Sequence, residues 1–163
     1  MTHETVKHPA HYTAWPVEVI EIAGRLGFKL GNVVKYVLRC GFKGKAEDLA
    51  KAGQYLEFAM SELCPCHRYE SREHVLLLHS IRRLRDHLKE SADPLPLLQA
   101  AFLTVLESFA EARGEEQRKN ALATMNGMIP LLTRAVNEKP DSGEPLTHSM
   151  GGGDSWLDKL WDW

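Results

Sequence analysis

Residues 30–56, LGNVVKYVLRCGFKGKAEDLAKAGQYL, decide the fold, because they read as two short helices joined by a turn rich in glycine and lysine. Gly41 and Gly44 bracket the turn, as expected where one helix ends and another begins. Glu47 and Asp48 follow in the first turn of the second helix, where the helix dipole stabilises carboxylates. The stretch therefore predicts a helical hairpin.

The first helix of this hairpin has two distinct faces at ~100° per residue. Its apolar face consists of Leu30, Val34, Val37 and Leu38. Its polar face consists of Asn32, Lys35, Tyr36 and Arg39. A cationic face opposite an apolar stripe is typical of a solvated helix surface. An amide, an ammonium, a phenol and a guanidinium in one arc can also bind a phosphorylated nucleoside, so both interpretations stay open.

More donors follow along the hairpin. Lys43 and Lys45 fall in the turn, and Lys51 and Tyr55 lie one helical turn apart on the second helix. A phosphate needs convergent cationic donors, and a base or sugar needs an aromatic wall. The hairpin supplies both kinds of residue, so a nucleotide site remains one of the two open interpretations.

The N-terminal part of the chain carries these residues in a defined order together with several others. The set is His8-Pro9-Ala10-His11-Tyr12, Glu18-Val19-Ile20, Leu30 through Tyr36, Arg39, Gly41, Lys43, Glu47-Asp48-Leu49, Lys51-Ala52 and Tyr55-Leu56. In this order the residues resemble a family of small phage-encoded proteins that includes the P-loop-free deoxynucleoside monophosphate kinases of T-seven-like phages. The resemblance ends near residue 60 and covers none of the rest.

The resemblance implies a nucleoside monophosphate kinase that uses ATP or another phosphoryl donor, with Mg²⁺ as a cofactor that such a reaction can use. The phosphates would be neutralised by Lys35, Arg39, Lys43 and Lys51. The sugar and base would be held by His11, Tyr12, Asn32, Tyr36 and Tyr55. Asp48 or His11 would serve as the general base. The sequence has no G-x-x-x-x-G-K-[ST] motif, so catalysis would depend on positioning and charge neutralisation.

The composition limits the classes of protein and partner. The 163 residues suffice for one domain, or for a small domain with an appended helical unit. Hydrophobic residues at 44% and charged residues at 26% are typical of soluble globular proteins. A net charge of −2 gives no global reason to expect a nucleic-acid partner. The sequence lacks an apolar run of membrane-spanning or signal-peptide type, so we expect a cytoplasmic protein without membrane contact.

Helical periodicity along the chain predicts an all-α fold, with the first hairpin helix starting at Gly31 and Asn32. We expect a kinase-like module at 1–66, a helical packing or oligomerisation region at 67–139, and a flexible linker with a Trp-rich acidic tip at 140–163. Heptad-like positions in the middle region are Leu77, Ile81, Leu84 and Leu88. This spacing suits packing within the chain or against a second copy, which predicts a homo-oligomer.

Two groups of potential metal ligands compete with the kinase interpretation. Glu18 and Glu21 resemble the Glu-x-x-Glu pair of all-helical nucleoside triphosphate pyrophosphohydrolases, although Glu47-Asp48 lacks the second spaced pair of that signature. Residues 64–67, CPCH, have zinc-ligand chemistry, but a fourth ligand would have to fold back, and a turn with incidental thiols is preferred. No residue is therefore assigned as a metal ligand.

The C-terminal tip combines acidic and large apolar residues. Its apolar members are Trp156, Leu160, Trp161 and Trp163. Three tryptophans in a short tail predict docking into a basic, apolar groove on another protein, or folding back onto the chain's own helices. Two further functions therefore stay open beside the kinase: a non-catalytic protein that captures a nucleotide or nucleotide signal against host defence, and an adaptor that acts through this tail.

Overall fold

The computed structural model describes residues 15–62 and 71–138. In these ranges the chain forms six α-helices and no strand, which confirms the all-α prediction. The helices are α1 Val19–Ala23, α2 Phe28–Arg39, α3 Lys45–Ser61, α4 Arg72–Lys89, α5 Pro94–Glu111 and α6 Glu115–Glu138.

The six helices share one hydrophobic core. α2 packs against α3, α4 against α5, and α5 against α6. α6 then packs against α3, and α1 contacts both α2 and α4. Fully buried apolar side chains come from all six helices and include Ile22, Leu38, Leu49, Leu77, Phe102 and Met125. The helical region after the hairpin thus packs on the hairpin itself.

The start of α2 differs from the prediction. The helix begins at Phe28 after Gly27, so that Gly31 and Asn32 lie inside it. A Cβ atom at Gly31 would lie 2.6 Å from the carbonyl oxygen of Ala23, which is closer than real Cβ contacts. Gly31 is therefore a point of close approach between α1 and α2 rather than a helix start.

α4 has the buried face that the heptad-like spacing predicts. Leu77, Ile81, Leu84 and Leu88 are all buried. Two of the arginines on its outer side contact α5: Arg82 pairs with Glu107 at 2.5 Å and with Glu111 at 2.8 Å, and Arg85 also pairs with Glu107. These arginines therefore join α4 to α5.

Helical spacing predicts that Leu49, Leu56 and Met60 form the buried face of α3; Leu49 and Leu56 are buried, but Met60 is not. Met60 is 44% exposed, whereas its neighbour Ala59 is 1% exposed. One residue corresponds to about 100° of helix rotation, and this places Met60 on the rim of the interface. None of the helices in residues 15–62 and 71–138 combines the length and apolarity needed to cross a membrane.

Candidate site between the two hairpin helices

The turn between α2 and α3 depends on a left-handed glycine. Gly44 has a φ of +77°, a conformation that side-chain-bearing residues rarely adopt. A Cβ atom at this position would lie 2.2 Å from Cγ of Asp48. Gly44 therefore reverses the chain and leaves room for the Asp48 carboxylate directly beside the turn.

That carboxylate forms a two-bond ion pair with Arg39. Nε and Nη2 of Arg39 donate to the two Asp48 oxygens at 2.9 and 2.8 Å. Only 9% of the Arg39 side chain and 1% of the Asp48 side chain are exposed. Because the pair joins the end of α2 to the start of α3, it fixes the register of the hairpin. The residue predicted as a general base thus has both oxygens engaged by Arg39.

Three cations surround the ring of Tyr36. Its centroid lies 4.3 Å from Nζ of Lys35, 5.2 Å from Cζ of Arg39 and 5.7 Å from Nζ of Lys51. All three distances lie within the range of cation–π attraction. Nζ of Lys51 also pairs with Glu47 at 3.1 Å, and this hydrogen bond raises the Lys51 pKa.

Tyr36 continues into a group of stacked and edge-on rings. Tyr55 of α3 stacks against it with centroids 6.1 Å apart and an interplanar angle of 22°. Phe28 and Phe58 meet Tyr55 edge-on at 5.8 and 6.2 Å. The two stacked tyrosines and the charged residues around them form the Tyr36 cluster. Its members are Lys35, Tyr36, Arg39, Asp48, Lys51 and Tyr55.

The polar face of α2 lies in the interior of the hairpin. Asn32, Lys35, Tyr36 and Arg39 are only 2–9% exposed. The interpretation of this α2 face as a solvated surface is therefore wrong. Its donor groups are also not displayed to solvent as an open binding surface. The reason is that α3 lies alongside it and contributes Asp48, Lys51 and Tyr55 to the same cluster.

The Tyr36 cluster has more positive than negative groups. Lys35, Arg39 and Lys51 supply three cations, and Asp48 within the cluster and Glu47 beside it supply two carboxylates. Exposed Lys43 lies in the adjoining turn, and exposed Lys45 is the first residue of α3. Among the residues that the structure describes, the cations of this site outnumber its carboxylates, although the whole chain has a net charge of −2. Such an excess suits an anion with two or more charges.

Other predicted site residues lie outside the cluster or outside residues 15–62 and 71–138. Asn32 is buried, and its Nδ2 donates to the carbonyl oxygen of Phe28 at 2.9 Å. Lys43 is an exposed turn residue. Residues that fall outside the described ranges are His11, Tyr12, Trp156, Leu160, Trp161 and Trp163, together with the CPCH motif at 64–67.

Glu18 and Glu21, the potential metal ligands, have roles at the start of α1. The backbone N–H of Glu18 donates to Oε1 of Glu21 at 3.1 Å. The hydroxyl of Ser80 on α4 donates to Oε2 of Glu21 at 3.5 Å. Within residues 15–62 and 71–138, no three His, Cys, Asp or Glu side chains form a group that could hold a metal ion.

Gln99 is a buried polar residue that connects α5 to the end of α2. Nε2 of Gln99, on α5, donates to the carbonyl oxygens of Val37 and Leu38 at 2.8 and 3.3 Å. It also lies 3.9 Å from Sγ of Cys40. An amide within the apolar run Leu97–Phe102 was a signal of such a role, because a buried amide needs hydrogen-bond partners. Burial, with a smaller contribution from the Asp48 charge, raises the Cys40 pKa to about 12.

Comparison with known proteins gives one match. Residues 6–57 match DUF3310, a family of proteins of unknown function. The matched stretch contains α1, α2 and most of α3, and with them every residue of the Tyr36 cluster. Helices α4 to α6 lie outside it. No curated protein and no solved structure matches the chain.

Proposed function

We propose that the chain binds a nucleoside monophosphate at the Tyr36 cluster and transfers a phosphoryl group to it, as a P-loop-free kinase. The observation that carries the proposal is the convergence of three cations on one tyrosine ring that stacks on a second tyrosine. Cations neutralise phosphate oxygens, and stacked rings accept a base or sugar face. One site thus has the two chemistries that a nucleotide requires.

The cluster suits phosphoryl transfer because this reaction depends mainly on positioning and charge neutralisation. Lys51 is the cation best placed to meet an incoming phosphate, because its side chain is 42% exposed. Lys35 and Arg39 would add positive potential from the buried side. Asp48 would hold the Arg39 guanidinium in place through its two hydrogen bonds, which makes it a positioning residue rather than a base.

The remaining parts of the reaction come from the kinase resemblance. His11 and Tyr12 would complete the sugar and base contacts, and His11 would be the candidate general base. ATP or another phosphoryl donor would supply the transferred group, with Mg²⁺ where the donor requires it. A homo-oligomer and a protein partner for the Trp-rich tail belong to the same proposal.

A second candidate function is nucleotide capture without catalysis. The observation that favours it is the engagement of both Asp48 oxygens by Arg39, which leaves this carboxylate unable to accept a proton from a substrate without breaking the pair. A protein of this kind would hold a nucleotide or a nucleotide-derived signal unchanged.

Labelled nucleotides distinguish these functions. Purified full-length chain is incubated with each deoxynucleoside monophosphate, ATP labelled in its terminal phosphate, and Mg²⁺. Labelled diphosphate supports the kinase, and tight binding of unchanged nucleotide supports capture. Pyrophosphate released from a triphosphate would support the pyrophosphohydrolase instead. Absence of both binding and turnover, with a tail-dependent pull-down of a protein partner, would support the adaptor and contradict both nucleotide functions.

A matched pair of lysine variants tests the site assignment. Lys51 pairs with Glu47 four residues earlier on α3, and Lys119 pairs in the same way with Glu115 on α6. Lys51→Gln is expected to weaken nucleotide binding at least tenfold, because one charge-assisted contact to phosphate contributes about 1.5–3 kcal/mol. Lys119→Gln should leave binding unchanged. Equal affinities of the two variants would contradict the assignment.

A further inference from the structure

We propose that Phe28 and Phe58, with Tyr55 between them, form the wall against which the nucleobase of the ligand stacks. The inference rests on the proposed function and goes beyond it in two respects. It assigns two residues that neither the spacing of charged groups nor the kinase resemblance indicates. It also predicts how the site selects its ligand.

The placement of the two phenylalanines follows from the hairpin. Along α2, Phe28 precedes Tyr36 by two helical turns, and along α3, Phe58 follows Tyr55 by one. Because α2 and α3 run in opposite directions, Phe28 and Phe58 both lie at the end of the hairpin away from the Gly44 turn, where each contacts Tyr55. Nζ of Lys29 donates to the carbonyl oxygen of Phe58 at 3.3 Å and so ties the two helices together at this end.

The cationic cluster and the phenylalanines occupy opposite ends of this seam. The turn end has the Arg39–Asp48 pair and the lysines of the cluster. The opposite end has the two phenylalanines together with Lys29, whose charge is paired with Glu62. Tyr36 and Tyr55 connect the two ends through their stack. A ligand that matches this order must have negative charge at one end and a flat aromatic group at the other, which describes a nucleotide.

The two phenylalanine rings are partly exposed. Phe28 is 58% exposed and Phe58 is 49% exposed, although both also contact Tyr55. Neighbouring exposed aromatic rings are unfavourable in water and are a recurrent feature of binding surfaces. Continuity of these rings with the cationic cluster points to a nucleobase as the group that covers them.

Stacking of this kind tolerates different bases. Every base has a π-face, and phenylalanine rings offer no hydrogen-bond code with which to read base edges. The wall therefore predicts binding of purine and pyrimidine monophosphates within about tenfold of each other. A sugar phosphate without a base should bind much more weakly, because it uses only the charged end.

The test compares ligands with and without a base on the full-length chain. Calorimetric or NMR titrations use dGMP, dTMP and deoxyribose 5-phosphate. Phe28→Ala combined with Phe58→Ala is expected to weaken both nucleotides about tenfold or more and to leave deoxyribose 5-phosphate within twofold. Phe28→Tyr combined with Phe58→Tyr keeps both rings and should keep the affinity. Phe42→Ala is the matched control, because Phe42 is a 50% exposed ring that contacts Trp15 instead of Tyr55.

The outcomes separate this inference from the proposed function. Nucleotide affinity that is unchanged in the double alanine variant overturns the wall and leaves the nucleotide site in place. An equal loss for nucleotides and deoxyribose 5-phosphate also overturns it, because the effect then does not come from the base. A change from dimer to monomer in light scattering, with unchanged affinity, would assign the patch to a second copy of the chain. If the unaltered protein binds no nucleotide, the proposed function fails and the wall fails with it.

Discussion

The Arg39–Asp48 ion pair is the residue-scale contact with the largest predicted effect on stability. Asp48→Ala would leave the Arg39 guanidinium buried without its carboxylate, and breaking a buried pair in this way costs about 3–5 kcal/mol. We expect a loss of this size in the free energy of unfolding measured with urea. Glu47→Ala removes an exposed partner of Lys51 instead and should cost less than about 1 kcal/mol. Similar losses in the two variants would show that the buried pair is not a main contributor to stability.

The Cys40 thiol predicts a pH dependence at the same scale. Its pKa rises from 9.0 to about 12 in the folded chain, so the folded state retains a proton that the unfolded state loses. This contribution to stability is fully present below pH 9 and is lost as the pH rises from 9 toward 12. Between pH 8 and pH 10 it should cost about 1.4 kcal/mol.

Comparison with Cys40→Ala isolates this contribution. Cys64 and Cys66 are present in both proteins, so their ionisation affects both unfolding curves in the same way. Urea unfolding at pH 8 and pH 10 should therefore show a loss about 1.4 kcal/mol larger in the unaltered chain than in the variant. Equal alkaline losses would mean that the thiol ionises as easily in the folded state as in the unfolded one.

At the scale of elements, the α2–α3 turn depends on Gly44. Gly44→Ala would place a side chain in a left-handed conformation, which costs about 1–2 kcal/mol, and would add a contact with the Asp48 carboxylate. We expect a decrease of at least that size in the free energy of unfolding. Gly127 of α6 is the control, because a Cβ atom there meets nothing within 4 Å.

Gly127→Ala should increase stability by about 0.5–1 kcal/mol, since alanine favours helix more than glycine does. The two substitutions are chemically identical and differ only in backbone conformation and surroundings. A stabilising effect of Gly44→Ala would therefore contradict the turn geometry.

At the scale of the whole molecule, the shared core predicts cooperative unfolding. Met125 of α6 is fully buried in this core, and α6 packs against α3. Met125→Ala should cost about 2–5 kcal/mol. Amide hydrogen exchange should show that α2 and α3 lose protection together with α4 to α6. Loss confined to α4–α6 would mean that the hairpin and the following helices unfold as separate units.

Much of the fold could be predicted from sequence because helix-forming patterns are local. Apolar spacing of three and four residues identified the buried face of α4, and the Asp93-Pro94 pair is a local helix-start signal at the point where α5 begins. The same reasoning failed at Gly31, whose role depends on the backbone of α1. It failed at Met60 because periodicity alone does not define the edge of an interface.

In the candidate site, too, some features follow from the sequence and others depend on tertiary structure. The sequence by itself determined the helical hairpin and the residue types along it, because both follow from the order of side chains within about one helical turn. Tertiary structure decided that Arg39 pairs with Asp48 and that Gln99 of α5 reaches the end of α2. It also decided which three cations surround the ring of Tyr36, namely Lys35, Arg39 and Lys51. These contacts join separate helices, and their distances depend on how the helices pack around the common core.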